Sequence, residues 1–324
     1  MKALSAVALA MAMLSMRAEA ASQIQLEAPG PQGSLKATLL TPDTVNDQRA
    51  PVVLIIPGSG PTDRDGNNPL GVKAASYRLL AESLAQRGVR SVRIDKRGMF
   101  ASAAAIPDAN KVTVQDYADD VHAWIDVIKS KTGASCVWVL GHSEGGLVAL
   151  AAAQRPEGLC GLILVSTAGR PLGAILREQL QANPANAPLL GDAGQAIAAL
   201  ERGERSDVST MHPALQRLFA PTVQGFLIST MRLDPVALIR AYQGPVWVLQ
   251  GDKDLQVGVG DAQRLGQAGT RARVVILEGV NHVLKSVAGT SRAANLATYA
   301  DPDLPIAPSV ADAVSAAVQG PARP

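Results

Sequence analysis

Cys136-Val137-Trp138-Val139-Leu140-Gly141-His142-Ser143-Glu144-Gly145 is the stretch around which the rest of the chain organises itself. Cys136 to Leu140 is an apolar run of the length of a buried strand, Gly141 to Gly145 matches G-x-S-x-G, and a pattern of helical period runs from Leu147 to Gln154. A serine flanked by glycines on a sharp strand-to-helix turn has its hydroxyl lifted above the edge of a sheet. Ser143 is therefore the candidate nucleophile. The five-residue pattern alone is common, and it is the strand before it and the helix after it that separate it from an ordinary turn.

Similar apolar runs lie on both sides: Val52 to Ile56, stopped by Pro57-Gly58, then Val89 to Ile94, Leu162 to Ser166, Val246 to Gln250 and Val274 to Leu277. Segments of helical period separate most of them, as in Ala74 to Arg87 and Val114 to Lys129. Near the start, Ile24 to Glu27 and Leu35 to Leu40 flank a Gly/Pro turn from Pro29 to Ser34, the pattern of a β-hairpin. Eight strands alternating with helices imply a mainly parallel sheet covered on both faces, with the hairpin at one edge. The alternation stops between Pro171 and Pro235, where Ala174 to Leu180, Ala193 to Arg202 and Leu215 to Met231 read as helical. A structureless loop of that length would be unusual in a compact domain. A helical insertion is expected, leaving the sheet after the sixth strand on the side of Ser143 and covering it as a cap.

The 324 residues suffice for one large α/β domain, and a net charge of +2 with 3% aromatic residues offers neither a phosphate-tracking surface nor base-stacking platforms, so nucleic acid is not an expected partner. Lys2, the apolar stretch Ala3 to Met16 and the small residues of Ala18-Glu19-Ala20 have the form of a secretory leader. Its apolar part, roughly 14 residues, is shorter than the roughly 20 needed to span hydrocarbon. The expected division is a leader over 1–20 and one α/β domain over 21–324 carrying the insertion 171–235, exported to the periplasm or beyond without a membrane anchor.

A serine hydroxyl is a weak nucleophile at neutral pH, and needs a base whose tautomer is fixed by an acid. Of the four histidines, His142 sits in the turn and is expected to point away from the site, His122 falls in a helix and His212 in the insertion. His282 follows the strand Val274 to Leu277 and a short turn through Gly279 and Asn281, at the same edge as Ser143, and is the candidate base. The acid is expected after Val246 to Gln250, where Asp252 and Asp254 both qualify. The chain order is then Ser, Asp, His.

With these motifs the chain resembles the α/β-hydrolase superfamily, in particular its bacterial esterases and serine aminopeptidase group. The resemblance runs from about Val52 to His282 and rests on Pro57 to Gly66, Asp95-Lys96-Arg97-Gly98, the Ser143 turn, Gly251 to Val257, and Asn281-His282. It implies the α/β-hydrolase fold, with an oxyanion hole formed by the backbone N–H groups of Ser59 and Glu144. Donors of this kind are worth roughly 3 to 4 kcal/mol each. Where the family often has His-Gly, this chain has Pro57-Gly58, a departure that leaves the backbone role intact. The family pattern G-x-x-D-x-x-V, met by Gly251, Asp254 and Val257, makes Asp254 the acid and Asp252 a turn residue bonding nearby backbone N–H groups.

The expected reaction is hydrolysis of a small carboxylic ester through an acyl-enzyme on Ser143; cleavage of a short peptide or acyl amide is the near alternative, and an idle binding module a more distant one. Neither clustered Cys/His ligands nor a dinucleotide-binding turn is present, so no metal or organic cofactor is implied. Phe219 and Phe226 are candidates for an acyl pocket. Asp63, Arg64 and Asp65 are expected to form ion pairs that hold their loop, and Asp95 to Gly98 to form a strand-ending turn. Cys136 and Cys160 open successive strands that should lie side by side, about 4.8 Å apart. In an exported chain they are expected to form a disulfide at the edge opposite Ser143.

Overall fold

The computed structural model describes residues 21–43 and 50–320; the expected leader, 1–20, lies outside the described residues. Strands β1 (Ser22–Ala28) and β2 (Leu35–Thr41) form the expected hairpin. They are followed by β3 (Val52–Ile56), the two-residue pair β4 (Asn67–Asn68) and β5 (Val72–Lys73), helix α1 (Ser76–Ala85), β6 (Arg90–Ile94) and α2 (Val114–Thr132). Next come β7 (Val137–His142), α3 (Glu144–Ala152) and β8 (Leu159–Val165). Five helices then separate β8 from the next strand: α4 (Leu172–Gln181), α5 (Leu190–Arg202), α6 (Pro213–Leu218), α7 (Gln224–Met231) and α8 (Pro235–Ala241). The chain ends with β9 (Val246–Gly251), α9 (Val259–Ala268), β10 (Ala272–Leu277), α10 (Arg292–Ala297) and α11 (Pro308–Gln319).

Eight strands form one sheet in the order β1-β2-β6-β3-β7-β8-β9-β10. β1 and β2 are antiparallel to their neighbours, and from β6 to β10 every pair is parallel. Alternate residues of each strand feed cores on opposite faces: Val52, Leu54 and Ile56 of β3 pack with α2, α3 and α9, whereas Val53 and Ile55 pack with α1 and α11. Because the central strands are parallel, the loops after β3, β6, β7, β8, β9 and β10 all leave from one edge, which brings residues distant in sequence to one place.

The segment between β8 and β9 is helical as expected, with two differences. Leu215 to Met231 is two helices, because Pro221 supplies no N–H and interrupts the run. α8, which was not expected, packs against α3 and α9 over the sheet. α5, α6 and α7 bury their own cluster, with Ile197, Leu200, Leu215 and Phe219 at its centre.

β8 begins at Leu159, ahead of the expected start at Leu162, and pairs with β7 across a bulge: Val137 meets Leu159 and Trp138 meets Gly161, leaving Cys160 as the extra residue. Cys160 and Cys136 are joined as a disulfide with their Cα atoms 5.1 Å apart. The bridge closes a segment with a sequence separation of 24, for which chain entropy gives a stabilisation of about 3.5 kcal/mol. Replacing both cysteines by serine is expected to lower the denaturant-unfolding free energy by about that much. Turnover should be unchanged, since the bridge lies at the opposite end of the strands from Ser143; an unaltered unfolding curve would contradict this.

Candidate active site

Ser143 lies between β7 and α3 with φ 54° and ψ −120°, a conformation that a non-glycine residue adopts only where its surroundings impose it. The two glycines of the motif show what imposes it. A Cβ on Gly141 would lie 2.2 Å from the Gly145 carbonyl oxygen, and one on Gly145 would lie 2.4 Å from that of Ile56. Only glycine lets β7, the turn and the end of β3 approach so closely.

The two carboxylates after β9 have different partners. His282 Nδ1 donates to Asp254 Oδ2 at 2.8 Å, and the Asp254 side chain is fully buried. Asp254 also accepts from the Gln256 N–H at 2.7 Å, the Val257 N–H at 3.0 Å and the Gln250 side-chain amide at 3.2 Å. Burial alone would raise this carboxyl, but the His282 ring and the Val257 and Gln256 N–H groups outweigh it and hold the group at about 2. Asp252 instead accepts from the Gly279 N–H at 2.7 Å, and so fastens the loop that carries His282. That loop is held further by buried Asn281, whose amide donates to Asn295 Oδ1 at 3.0 Å and Thr298 Oγ1 at 2.7 Å.

Ser143 and His282 border the same cavity of about 180 Å³. The Ser143 hydroxyl makes no hydrogen bond to a described residue. A second cavity, of about 200 Å³, opens from Ser143 under α4 and α7 and is lined by Leu147, Leu172, Ile175, Leu233, Pro235 and Val257 among others. Ser59 and Glu144 also border it, and neither of their N–H groups is bonded within the described protein. Phe219 and Phe226 line neither cavity. Phe219 is fully buried in the cluster of the inserted helices, and Phe226 packs edge-on against Tyr117 of α2 at 6.0 Å. The inserted segment borders this cavity through Leu172, Ile175 and Gln179 of α4 and through Thr230, Leu233 and Pro235, not through the two phenylalanines the sequence offered.

His142 does not point away. Its ring packs 4.8 Å from that of His282, and its Nε2 lies 2.8 Å from the His282 carbonyl oxygen, which can only accept. Nε2 therefore carries the proton and Nδ1 accepts from the Tyr77 hydroxyl, at 2.8 Å. The Tyr77 oxygen in turn accepts from the Gly58 N–H at 3.0 Å. One chain of hydrogen bonds thus joins the loop after β3, the serine turn and the backbone of the candidate base. The remaining histidines are elsewhere: His122 bonds the Ala152 carbonyl from α2, and His212 caps α6.

Burial, helped by His282, keeps His142 neutral down to about 3. In the unfolded chain the same ring takes up a proton below about 6.5, so the unfolded state binds more protons across this interval and stability falls as pH falls. Below about 3.8 the depressed Asp254 carboxyl adds to the loss in the same direction. The folded protein is expected to lose a few kcal/mol on acidification from 6.5 toward 3. Urea unfolding across that range should show a smaller pH slope for His142→Gln than for the wild type, and equal slopes would refute the assignment.

The loop after β3 is fixed by ions as well. The Arg64 guanidinium donates to Asp95 Oδ2 at 3.0 and 2.7 Å and its backbone N–H to Asp95 Oδ1 at 2.9 Å, Asp65 pairs with Arg93 on β6, and Asp63 accepts from the Asp65 and Asn67 N–H groups. These residues hold their loop, as the sequence suggested. Asp95 to Gly98 is more than a turn: beyond the Asp95 clamp, Arg97 pairs with Asp116 and Asp120 on α2, and buried Lys96 reaches the Gly58 carbonyl at 2.6 Å. Among the described residues no group of three or more His, Cys, Asp or Glu is placed to hold a metal.

Comparison with known proteins agrees with this architecture. Esterase EstD of Thermotoga maritima is 25% identical over 248 residues, 74% of this chain and 56% of that protein, so the chain spans little more than half the length of this relative. Est1E from Butyrivibrio proteoclasticus superposes with a TM-score of 0.53 at 18% identity, over 85% of this chain and 94% of that one. The proline iminopeptidase of Mycobacterium smegmatis does so with a TM-score of 0.55 at 18% identity, over 80% and 92%. At these identities the structural likeness shows the fold alone. The family described as serine aminopeptidase, S33, matches residues 70–285, a span that takes in the Ser143 turn, Asp254 and His282. With two thirds of its length so matched, the chain belongs to the serine aminopeptidase S33 family of α/β-hydrolases.

Proposed function

We propose that the protein hydrolyses small carboxylic esters through an acyl-enzyme on Ser143. The observation that carries this reading is the meeting, at one cavity, of Ser143 on its strained turn and His282 held by Asp254. Asp254 fixes the His282 proton on Nδ1, which leaves Nε2 free to accept the Ser143 proton as the hydroxyl attacks the ester carbonyl. The oxygen of that carbonyl gains negative charge beside the unpaired N–H groups of Ser59 and Glu144. His282 then returns the proton to the departing alcohol, and water releases the acyl group by the same steps.

The two cavities divide the substrate. The leaving group must lie beside His282, which borders the smaller cavity, so the acyl group occupies the apolar one beneath α4 and α7. On this reading the helices inserted after β8 act as a cap over the acyl group. An aminopeptidase has to hold a free ammonium group, for which an unpaired carboxylate is the fitting partner. Among the described residues Glu144 is the one acidic side chain bordering either cavity, and it faces the buried Lys96 ammonium at 3.4 Å. This favours a neutral acyl group, hence an esterase. The disulfide and the leader-like residues 1–20 support export to an oxidising compartment.

A panel of p-nitrophenyl esters of increasing chain length beside aminoacyl p-nitroanilides tests the reading. Short esters should be turned over with kcat/KM at least about a hundred-fold above any aminoacyl anilide, on the order of what one unmatched buried charge costs. Preference for the anilides would make the protein an aminopeptidase instead.

A further inference from the structure

We propose that Lys96 is a positioning residue for the oxyanion hole: its buried ammonium, bonded to the Gly58 carbonyl, turns the Ser59 N–H toward the reacting carbonyl and strengthens it as a donor. This rests on the acyl-enzyme reading above.

Lys96 follows β6 and is 3% exposed. Its Nζ lies 2.6 Å from the Gly58 carbonyl oxygen, 3.4 Å from Glu144 Oε1 and 5.4 Å from the centre of the Tyr117 ring. A buried ammonium is costly, and its burial here is not explained by apolar packing. What singles it out is the identity of its partners. Gly58 and Ser59 share one peptide unit, so the cation is bonded to the peptide of one expected oxyanion donor, and it also faces the side chain of Glu144, whose backbone supplies the other.

The peptide between Gly58 and Ser59 is trans, so its C=O and N–H point in opposite directions. Fixing the carbonyl on Lys96 therefore fixes the N–H facing away from Lys96, and Ser59 borders both cavities at Ser143. The other side of the same glycine is held too, by the Gly58 N–H donating to Tyr77. The Ser59 carbonyl accepts from the Thr62 hydroxyl at 2.9 Å, and the loop beyond is tied to β6 through Arg64 and Asp65. A cation on a peptide oxygen also draws electron density from the amide, which makes its N–H a stronger donor. Neutralising Glu144 is the lesser contact, at 3.4 Å against 2.6 Å. Burial lowers the Lys96 pKa and Glu144 opposes that shift.

Lys96→Met, Lys96→Gln and the double variant Lys96→Met with Glu144→Gln separate these roles. Each is measured for kcat and KM on a short p-nitrophenyl ester and for binding of a trifluoromethyl ketone, whose adduct with Ser143 carries the oxyanion. For Lys96→Met, kcat and ketone affinity should both fall by roughly a hundred-fold, within the ~10²–10³ cost of losing a donor outright, while KM changes little. The double variant should not recover them. Lys96→Gln keeps an N–H for the Gly58 carbonyl and should fall only about ten-fold, which also tests the proposal if the methionine variant does not fold. A folded Lys96→Met or Lys96→Gln protein with wild-type kcat and ketone affinity would overturn it, as would full recovery in the double variant. Fluorophosphonate labelling keeps the two readings apart: a wild type not labelled at Ser143 defeats the acyl-enzyme reading, whereas normal labelling with unaffected Lys96 variants defeats this one alone.

Discussion

Ser143→Ala is expected to lower turnover of an activated ester by about a million-fold, the scale on which loss of the nucleophile removes such catalysis in other serine hydrolases. The residual rate should still exceed that in water, because the Ser59 and Glu144 N–H groups and the acyl cavity are untouched by the substitution. Alanine removes a single oxygen that makes no hydrogen bond to a described residue, so the thermal unfolding midpoint should move little. Activity within ten-fold of the wild type in a folded variant would end the assignment of Ser143. The left-handed backbone at Ser143 is a second handle: if the surroundings impose it, Ser143→Gly should unfold at a somewhat higher temperature than Ser143→Ala.

Asp254→Asn is expected to cost about 10⁴ in kcat, whereas Asp252→Asn should stay within about ten-fold of the wild type. The two substitutions are the same size, and the difference lies in their partners. Asp254 meets His282 Nδ1 at 2.8 Å, and an amide there lets the ring hold its proton on the nitrogen that must face Ser143. Asp252 meets the Gly279 N–H, which an asparagine oxygen accepts as well, and a partly exposed Lys253 ammonium at 3.6 Å, a contact worth little in solvent. A larger loss for Asp252→Asn would reverse the choice between them.

The fold was legible because it is written in local patterns. Apolar runs such as Val52 to Ile56 bounded by Pro57-Gly58 can hardly be anything but buried strands, and their alternation with helical segments dictates a parallel sheet. Ser143 and His282 stood out as candidates for the same reason, each following a strand end in the order the sheet requires, whereas the choice of Asp254 over Asp252 needed the family pattern. The apolar run of β8 could be read only from Leu162, although Cys160 was placed at the strand's opening, because Gly158 and Gly161 surround Leu159 and Cys160, which sit at a bulge. The break between α6 and α7 was signalled by Pro221, which outweighs the apolar spacing around it.

What could not be read were contacts between segments far apart in sequence. Phe219 and Phe226 have the spacing of a helix face, but whether that face turns to a substrate or to neighbouring helices depends on how α5, α6 and α7 pack together. Tyr77 and His142 lie 65 residues apart, and nothing local ties them. Lys96 read as part of a turn because a lysine after a strand is ordinarily solvated. Its burial arises from the approach of the loop after β3, and only the charged run from Arg93 to Arg97 hinted that this end of β6 anchors something.

The most direct measurement is intact-protein and peptide mass spectrometry after rapid acid quench of the enzyme with p-nitrophenyl acetate. Acid stops deacylation, so an acyl-enzyme formed on the reaction path is preserved. One acetyl group on the tryptic peptide containing Ser143, absent from Ser143→Ala and appearing at the rate of the p-nitrophenol burst, is the expected result. Rapid hydrolysis with no acetyl on that peptide, or with the group on another residue at the burst rate, would contradict it.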